Sequence, residues 1–128
     1  MPKTFLFCED DPGIRDSFTN VLRRRFHEPE YKIIPTSTLD EALCLADREI
    51  FEGNLVLVQT DGDLGPRSAG DGFQLAQRLR GIGYTGPIIY DGSTKIPAEC
   101  QSLFSDTPMK KKDIPQMVDL VRKYLKPE

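Results

Sequence analysis

Five times along this chain a short apolar, β-prone run gives way to a stretch whose apolar residues recur at helical spacing. The runs are Lys3–Cys8, Tyr31–Pro35, Leu55–Val58, Pro87–Tyr90 and a weaker Thr107–Met109. After the first, Ile14, Phe18, Val21, Leu22 and Phe26 trace one helical face from Gly13 to Phe26. Arg23, Arg24 and Arg25 sit near its end, where the helix dipole favours cations. After the second, Thr38 and Glu41 fit a capping box leading into the face Leu39, Ala42, Leu43, Ala46 and Ile50. Phe73, Ala76, Leu79 and Ile82 form the third face, and Ile114, Met117, Val118, Val121 and Leu125 the last, with Asp113 as its cap. Between them, Pro97–Phe104 has room only for a short helix. Strands alternating with helices predict an α/β domain whose parallel sheet is covered on both faces.

The 128 residues suffice for one domain, residues 1–128, and for little more. A net charge of −3 gives no electrostatic footprint for nucleic acid or an anionic membrane, so neither is expected as a partner. The apolar runs fall far short of the roughly 20 residues that span a bilayer. The amino-terminal segment lacks a signal-peptide pattern, which points to the cytoplasm. Cys8, Cys44 and Cys100 are widely spaced, with no close ligand pair, and read as buried or half-buried thiols rather than a zinc site. His27, the one histidine, reads as a solvated residue at a helix end.

In such a sheet, ligands gather beyond the carboxyl ends of the strands. The residues there are Glu9, Asp10 and Asp11; Asp61 and Asp63; Gly92, Ser93 and Thr94; and Lys110. Clustered carboxylates repel unless a cation sits among them, and Mg²⁺, or Mn²⁺, suits an all-oxygen set. Lysine and hydroxyl donors suit phosphoryl oxygens. The implied chemistry is metal-assisted phosphoryl handling, with an aspartate as nucleophile. For Glu9–Asp11 the plainer reading is helix capping, and for Lys110–Lys112 a solvated charge run.

These segments resemble the receiver domain of two-component response regulators. KTFLFCEDDP (residues 3–12) looks like the family's first strand and acidic pair, and LVLVQTDGDLG (55–65) like its third strand and phosphoacceptor turn. PIIYDGS (87–93) looks like its fourth strand, and MKKKDIPQM (109–117) like the lysine turn before the last helix. The resemblance spans the chain and implies a flavodoxin-like (βα)5 doubly wound sheet in the order 2-1-3-4-5. It implies that Asp61 accepts a phosphoryl group from a sensor histidine kinase or phosphotransfer protein. Glu9, Asp10, Asp61 and the backbone carbonyl of Asp63 would bind Mg²⁺. Ser93 would supply the switch hydroxyl, and Lys110 would contact the phosphoryl group. The domain would act as a non-enzymatic signalling protein in a phosphorelay, through an unknown downstream protein.

Several positions depart from the family pattern. Counted along the strand, Gln59 falls where the phosphoacceptor stands; the turn Asp61–Gly65 fits better from Asp61, and alternation points both side chains the same way. Gly92 falls at the hydroxyl position and Ser93 one residue later, while Thr107 stands where a switch aromatic is frequent. The loop from Asp61 to Gly72 is long and the fourth helix short. No residue follows Glu128, so a stand-alone domain with a surface as output is expected. A second reading is a pseudo-receiver, an interaction module without phosphorylation. A third is a haloacid dehalogenase-type phosphatase, on the strength of the DxD in VQTDGDL (58–64).

Overall fold

The computed structural model describes residues 2–27, 29–62, 70–92, 94–107 and 113–125. Four parallel strands form one sheet in the order β2-β1-β3-β4. These are β1 (Lys3–Cys8), β2 (Tyr31–Thr36), β3 (Leu55–Thr60) and β4 (Ile88–Tyr90). The helices are α1 (Pro12–Arg25), α2 (Leu39–Phe51), α3 (Asp71–Gly81) and α4 (Ile114–Leu125), with a 3-10 helix over Ala98–Leu103. The first four strands of the expected order are thus in place.

The fifth is not formed as a strand among the described residues. Asp106 makes a single parallel bridge to Ile89, and the Tyr90 N–H donates to the Asp106 carbonyl at 3.0 Å. Thr107 is exposed, while Pro108 and Met109 lie outside the described residues. The third strand also runs two residues further than its apolar run. Gln59 and Thr60 keep pairing with Phe7 and Cys8, because the ladder is made by backbone groups and not by side chains. Pro35 sits in β2, where an edge strand tolerates a missing donor.

Alternation along the strands divides the core. Phe5, Phe7, Leu57 and Ile89 pack under α1 and α4, against Phe18, Leu22, Met117 and Val121. Leu6, Val58 and Ile88 pack on the other face under α2 and α3, against Ala42, Ala46, Leu75 and Leu79. The expected helical faces hold, except that Ile82 caps the end of α3 and is exposed, with Leu75 buried in its stead. Cys8 and Cys100 are buried, whereas Cys44 is exposed on α2.

Caps set the helix starts. The Thr38 hydroxyl accepts from the Glu41 N–H at 3.2 Å, while the Glu41 carboxylate accepts from the Ser37 N–H at 2.9 Å rather than from Thr38 itself. The capping box is therefore present with its return arm moved one residue back. The Asp113 carboxylate accepts from the Gln116 N–H at 3.3 Å at the start of α4.

Candidate functional site

Two residues beyond the paired trio Phe7, Gln59 and Ile89, the chain carries Glu9, Asp61 and Asp91. The ladder persists that far, with the Asp61 N–H donating to the Cys8 carbonyl at 3.3 Å and the Asp91 N–H to Thr60 at 2.9 Å. Strand register therefore delivers acids to the carboxyl end of the sheet. One carboxylate oxygen each from Glu9, Asp10 and Asp61 lies within 4.8 Å of the others. Glu9 is buried, Asp10 and Asp61 are half-buried, and Asp91 is buried beside them in sequence register.

Asp11 has a separate task. Its carboxylate accepts from the Gly13 N–H at 2.8 Å and the Ile14 N–H at 3.1 Å, capping α1. The capping reading of the acidic triplet thus accounts for Asp11. The Glu9 carboxylate accepts from the Asp11 N–H at 3.2 Å. The Arg15 guanidinium reaches back from α1 to the carbonyls of Glu9 (2.9 Å) and Asp10 (3.4 Å). This clamp, from the first turn of α1, holds the acidic turn by its backbone.

Asp61 sits in a turn built on glycine. Its carboxylate accepts from the Gly62 N–H at 2.6 Å, and its carbonyl accepts from the Thr60 hydroxyl at 2.8 Å. The Gly72 N–H donates to the Gly62 carbonyl at 3.0 Å, closing the loop onto α3. A Cβ at Gly72 would overlap the Asp61 carbonyl outright, so only glycine allows this approach. A Cβ at Gly92 would stand 2.6 Å from the Asp61 carboxylate and 2.6 Å from the Tyr90 hydroxyl. The hydroxyl position counted from sequence is thus next to Asp61, and it holds no side chain.

Gln59 lies in the row below. It is fully buried, and neither its amide oxygen nor its nitrogen has a hydrogen-bond partner. An amide cannot act as the nucleophile that a carboxylate can, so Asp61 is the acid this turn presents. Cys8 is no alternative nucleophile. Burial pushes its thiol up to about 12, and the Glu41, Glu9 and Asp10 charges add to the shift against a bond from Thr36. Asp63, Ser93 and Lys110 lie outside the described residues.

The donor set fits a hard cation. Mg²⁺ holds oxygens at about 2.0–2.1 Å in an octahedron, so opposite donors stand about 4 Å apart. Three carboxylate oxygens within 4.8 Å approach that spread, with waters completing the shell. A cavity of about 370 Å³ lies at the opposite end of the sheet near Leu55 and Tyr84, away from these acids.

Tyr90 lies within PIIYDGS but has no role in that motif. It is buried at the end of β4, stacks on Phe73 at 5.5 Å and packs against Phe104 at 5.2 Å. Its signal was the pair of glycines, Gly62 and Gly92, that leave room for its hydroxyl.

The sequence matches no protein-family model and no curated protein. Solved structures do match. A response regulator receiver protein from Pseudomonas putida superposes with a TM-score of 0.73 at 20% identity, covering 96% of this chain and 98% of that one. The chemotaxis response regulator CheY4 of Vibrio cholerae gives 0.72 at 15%, covering 98% and 100%. The receiver domain of the histidine kinase CKI1 from Arabidopsis thaliana, complexed with Mg²⁺ and BeF₃⁻, gives 0.65 at 16%, covering 95% and 89%. The chain has the fold of a response regulator receiver domain. Among the described residues, no helix is long and apolar enough to cross a membrane.

Proposed function

We propose that this chain is a receiver in two-component signal transduction, accepting a phosphoryl group on Asp61 with Mg²⁺ as cofactor. The observation that carries this reading is the convergence of Glu9, Asp10 and Asp61 at the carboxyl end of a receiver-type sheet. The donor is the phosphohistidine of a sensor kinase or phosphotransfer protein. An Asp61 carboxylate oxygen bonds to phosphorus, and the phosphorus–nitrogen bond breaks with its electron pair returning to the imidazole. Glu9, Asp10 and Asp61, with the Asp63 carbonyl, hold the Mg²⁺, which neutralises charge gathering on the phosphoryl oxygens. Lys110 pairs with one of those oxygens, and Ser93 donates to another. The product is a phosphoprotein that works in the cytoplasm by binding a downstream protein, with no turnover of its own.

Incubation with a small phosphodonor and Mg²⁺, read by intact mass, tests this. The wild-type chain gains one phosphoryl group, Gln59→Ala still gains it, and Asp61→Asn does not. Labelling that persists in Asp61→Asn moves the acceptor to another acid of the cluster. The missing side chain at Gly92, the hydroxyl position counted from sequence, favours one second reading, a pseudo-receiver that binds its partner unphosphorylated. Absence of labelling and of any Mg²⁺-induced NMR shift near Glu9 and Asp61 selects it. Steady release of product from an aryl phosphate would instead support a haloacid dehalogenase-type phosphatase.

A further inference from the structure

The space beside Asp61 is shaped by what two glycines leave out. A Cβ on Gly92 would stand 2.6 Å from the Asp61 carboxylate oxygen and 2.6 Å from the Tyr90 hydroxyl. A Cβ on Gly62 would also stand 2.6 Å from the Tyr90 hydroxyl. The phenol oxygen and the Asp61 carboxylate therefore flank the same small gap. Tyr90 is held there by a ring stacked on Phe73 and tilted against Phe104, with 1% of its surface exposed. Its hydroxyl donates to the carbonyl of Thr94, two residues past Gly92.

We infer that the Tyr90 hydroxyl is a binding group for the phosphoryl oxygens on Asp61, and that it couples their arrival to the segment Thr94–Ile96. The inference rests on the reading of Asp61 as phosphoacceptor. A neutral hydroxyl next to a new dianionic group has a stronger acceptor than an amide carbonyl within reach. Charge-assisted hydrogen bonds are roughly twice as strong as neutral ones. The O–H then turns from the Thr94 carbonyl to a phosphoryl oxygen, and the carbonyl takes another donor. Such an exchange is a two-state element, since the one proton serves either acceptor. Thr94, Lys95 and Ile96 line a cavity of about 330 Å³ together with Tyr90, Gln101 and Thr107, so the exchange reshapes an outer surface. The position of Gly92 explains why a phenol can serve here: any side chain at 92 would fill the gap the hydroxyl uses.

The test uses beryllofluoride with MgCl₂ on the full chain, followed by NMR. Wild-type protein should bind the probe, and the Thr94 carbonyl carbon and the Tyr90 Cζ should both shift on binding. Tyr90→Phe keeps the stacked ring. It should bind beryllofluoride about tenfold more weakly, lose the Thr94 response, and keep the Mg²⁺ affinity of the wild type. Equal affinity in Tyr90→Phe, with Thr94 unmoved in the wild type, overturns the role of Tyr90 and leaves the phosphoacceptor reading standing. Failure of wild-type protein to bind beryllofluoride at all overturns both. Should Tyr90→Phe not fold, the wild-type Tyr90 Cζ and Thr94 resonances decide alone: movement of both supports the coupling, and no movement refutes it.

Discussion

The two halves of the sheet are built to different standards. On one side β2, β1 and β3 are six residues each, and β1 pairs with β2 over its whole length without a break. On the other, β4 has three residues, a 3-10 helix replaces a full helix, and the outer edge is touched by Asp106 through one bridge. The regular half carries Glu9, Asp10 and Asp61, and the irregular half carries Asp91, Tyr90 and the segment that follows them. A site that must hold carboxylates together against repulsion needs a stiff base. A surface that reports on the site needs a small free-energy gap between two arrangements.

Core truncation should reveal this contrast most strongly. Phe7, buried under α1 with its ring 4.7 Å from Phe18, should cost about 3–5 kcal/mol when changed to Ala. Phe104, half-buried against Tyr90 and Phe73, should cost about half as much. Urea unfolding measures both, and equal losses would mean that the two halves are equally well packed.

Gln59 offers a gain in the regular half. Its amide is buried with neither end satisfied, a penalty of about 1–3 kcal/mol. Gln59→Met keeps the volume and removes the polar atoms, so it should raise the unfolding free energy by about 1–2 kcal/mol. A loss of stability would show that the amide is engaged in solution.

The cysteines report on local opening. Cys44 is exposed and should react with a thiol reagent at once. Cys100, buried in the small cluster with Phe73 and Tyr90, should follow about tenfold or more ahead of Cys8, whose site opens only with the central strand. Simultaneous labelling of Cys8 and Cys100 would make the whole sheet one cooperative unit.

The smallest effect concerns the edge. The Asp106 carboxylate is held below the usual range chiefly by its bond from Lys123 at 2.9 Å, against partial burial, with help from the Thr107 N–H and the Tyr124 hydroxyl. A carboxyl lowered on folding adds stability above its unfolded pKa of about 3.9 and loses it as pH falls through the lower folded value. Asp106→Asn should therefore cost under about 1 kcal/mol at pH 7, since Lys123 is largely exposed. The difference from wild type should vanish in strong acid, and a difference persisting there would assign it to packing.

Much of this molecule was legible from local patterns. Helical faces such as Phe18–Leu22 and Met117–Val121, the cap residues Thr38 and Asp113, and the acids after β1 and β3 all depend on neighbours a few residues away. Periodicity and backbone chemistry encode those directly. The resemblance then placed Glu9, Asp10 and Asp61 in one site, and their carboxylates do converge. Other features were decided only when distant segments met. Strand β3 continues through Gln59 and Thr60 because Phe7 and Cys8 offer backbone partners, which no hydropathy pattern announces. Tyr90 stands beside Asp61 because the glycines at 62 and 92, on two different strand ends, are brought face to face. Sequence by itself determined the helices, the first four strands and which stretches carry charge, since those are properties of short stretches. Tertiary structure decided which side chains share a space, because that depends on strand register and on the room left where a side chain is missing.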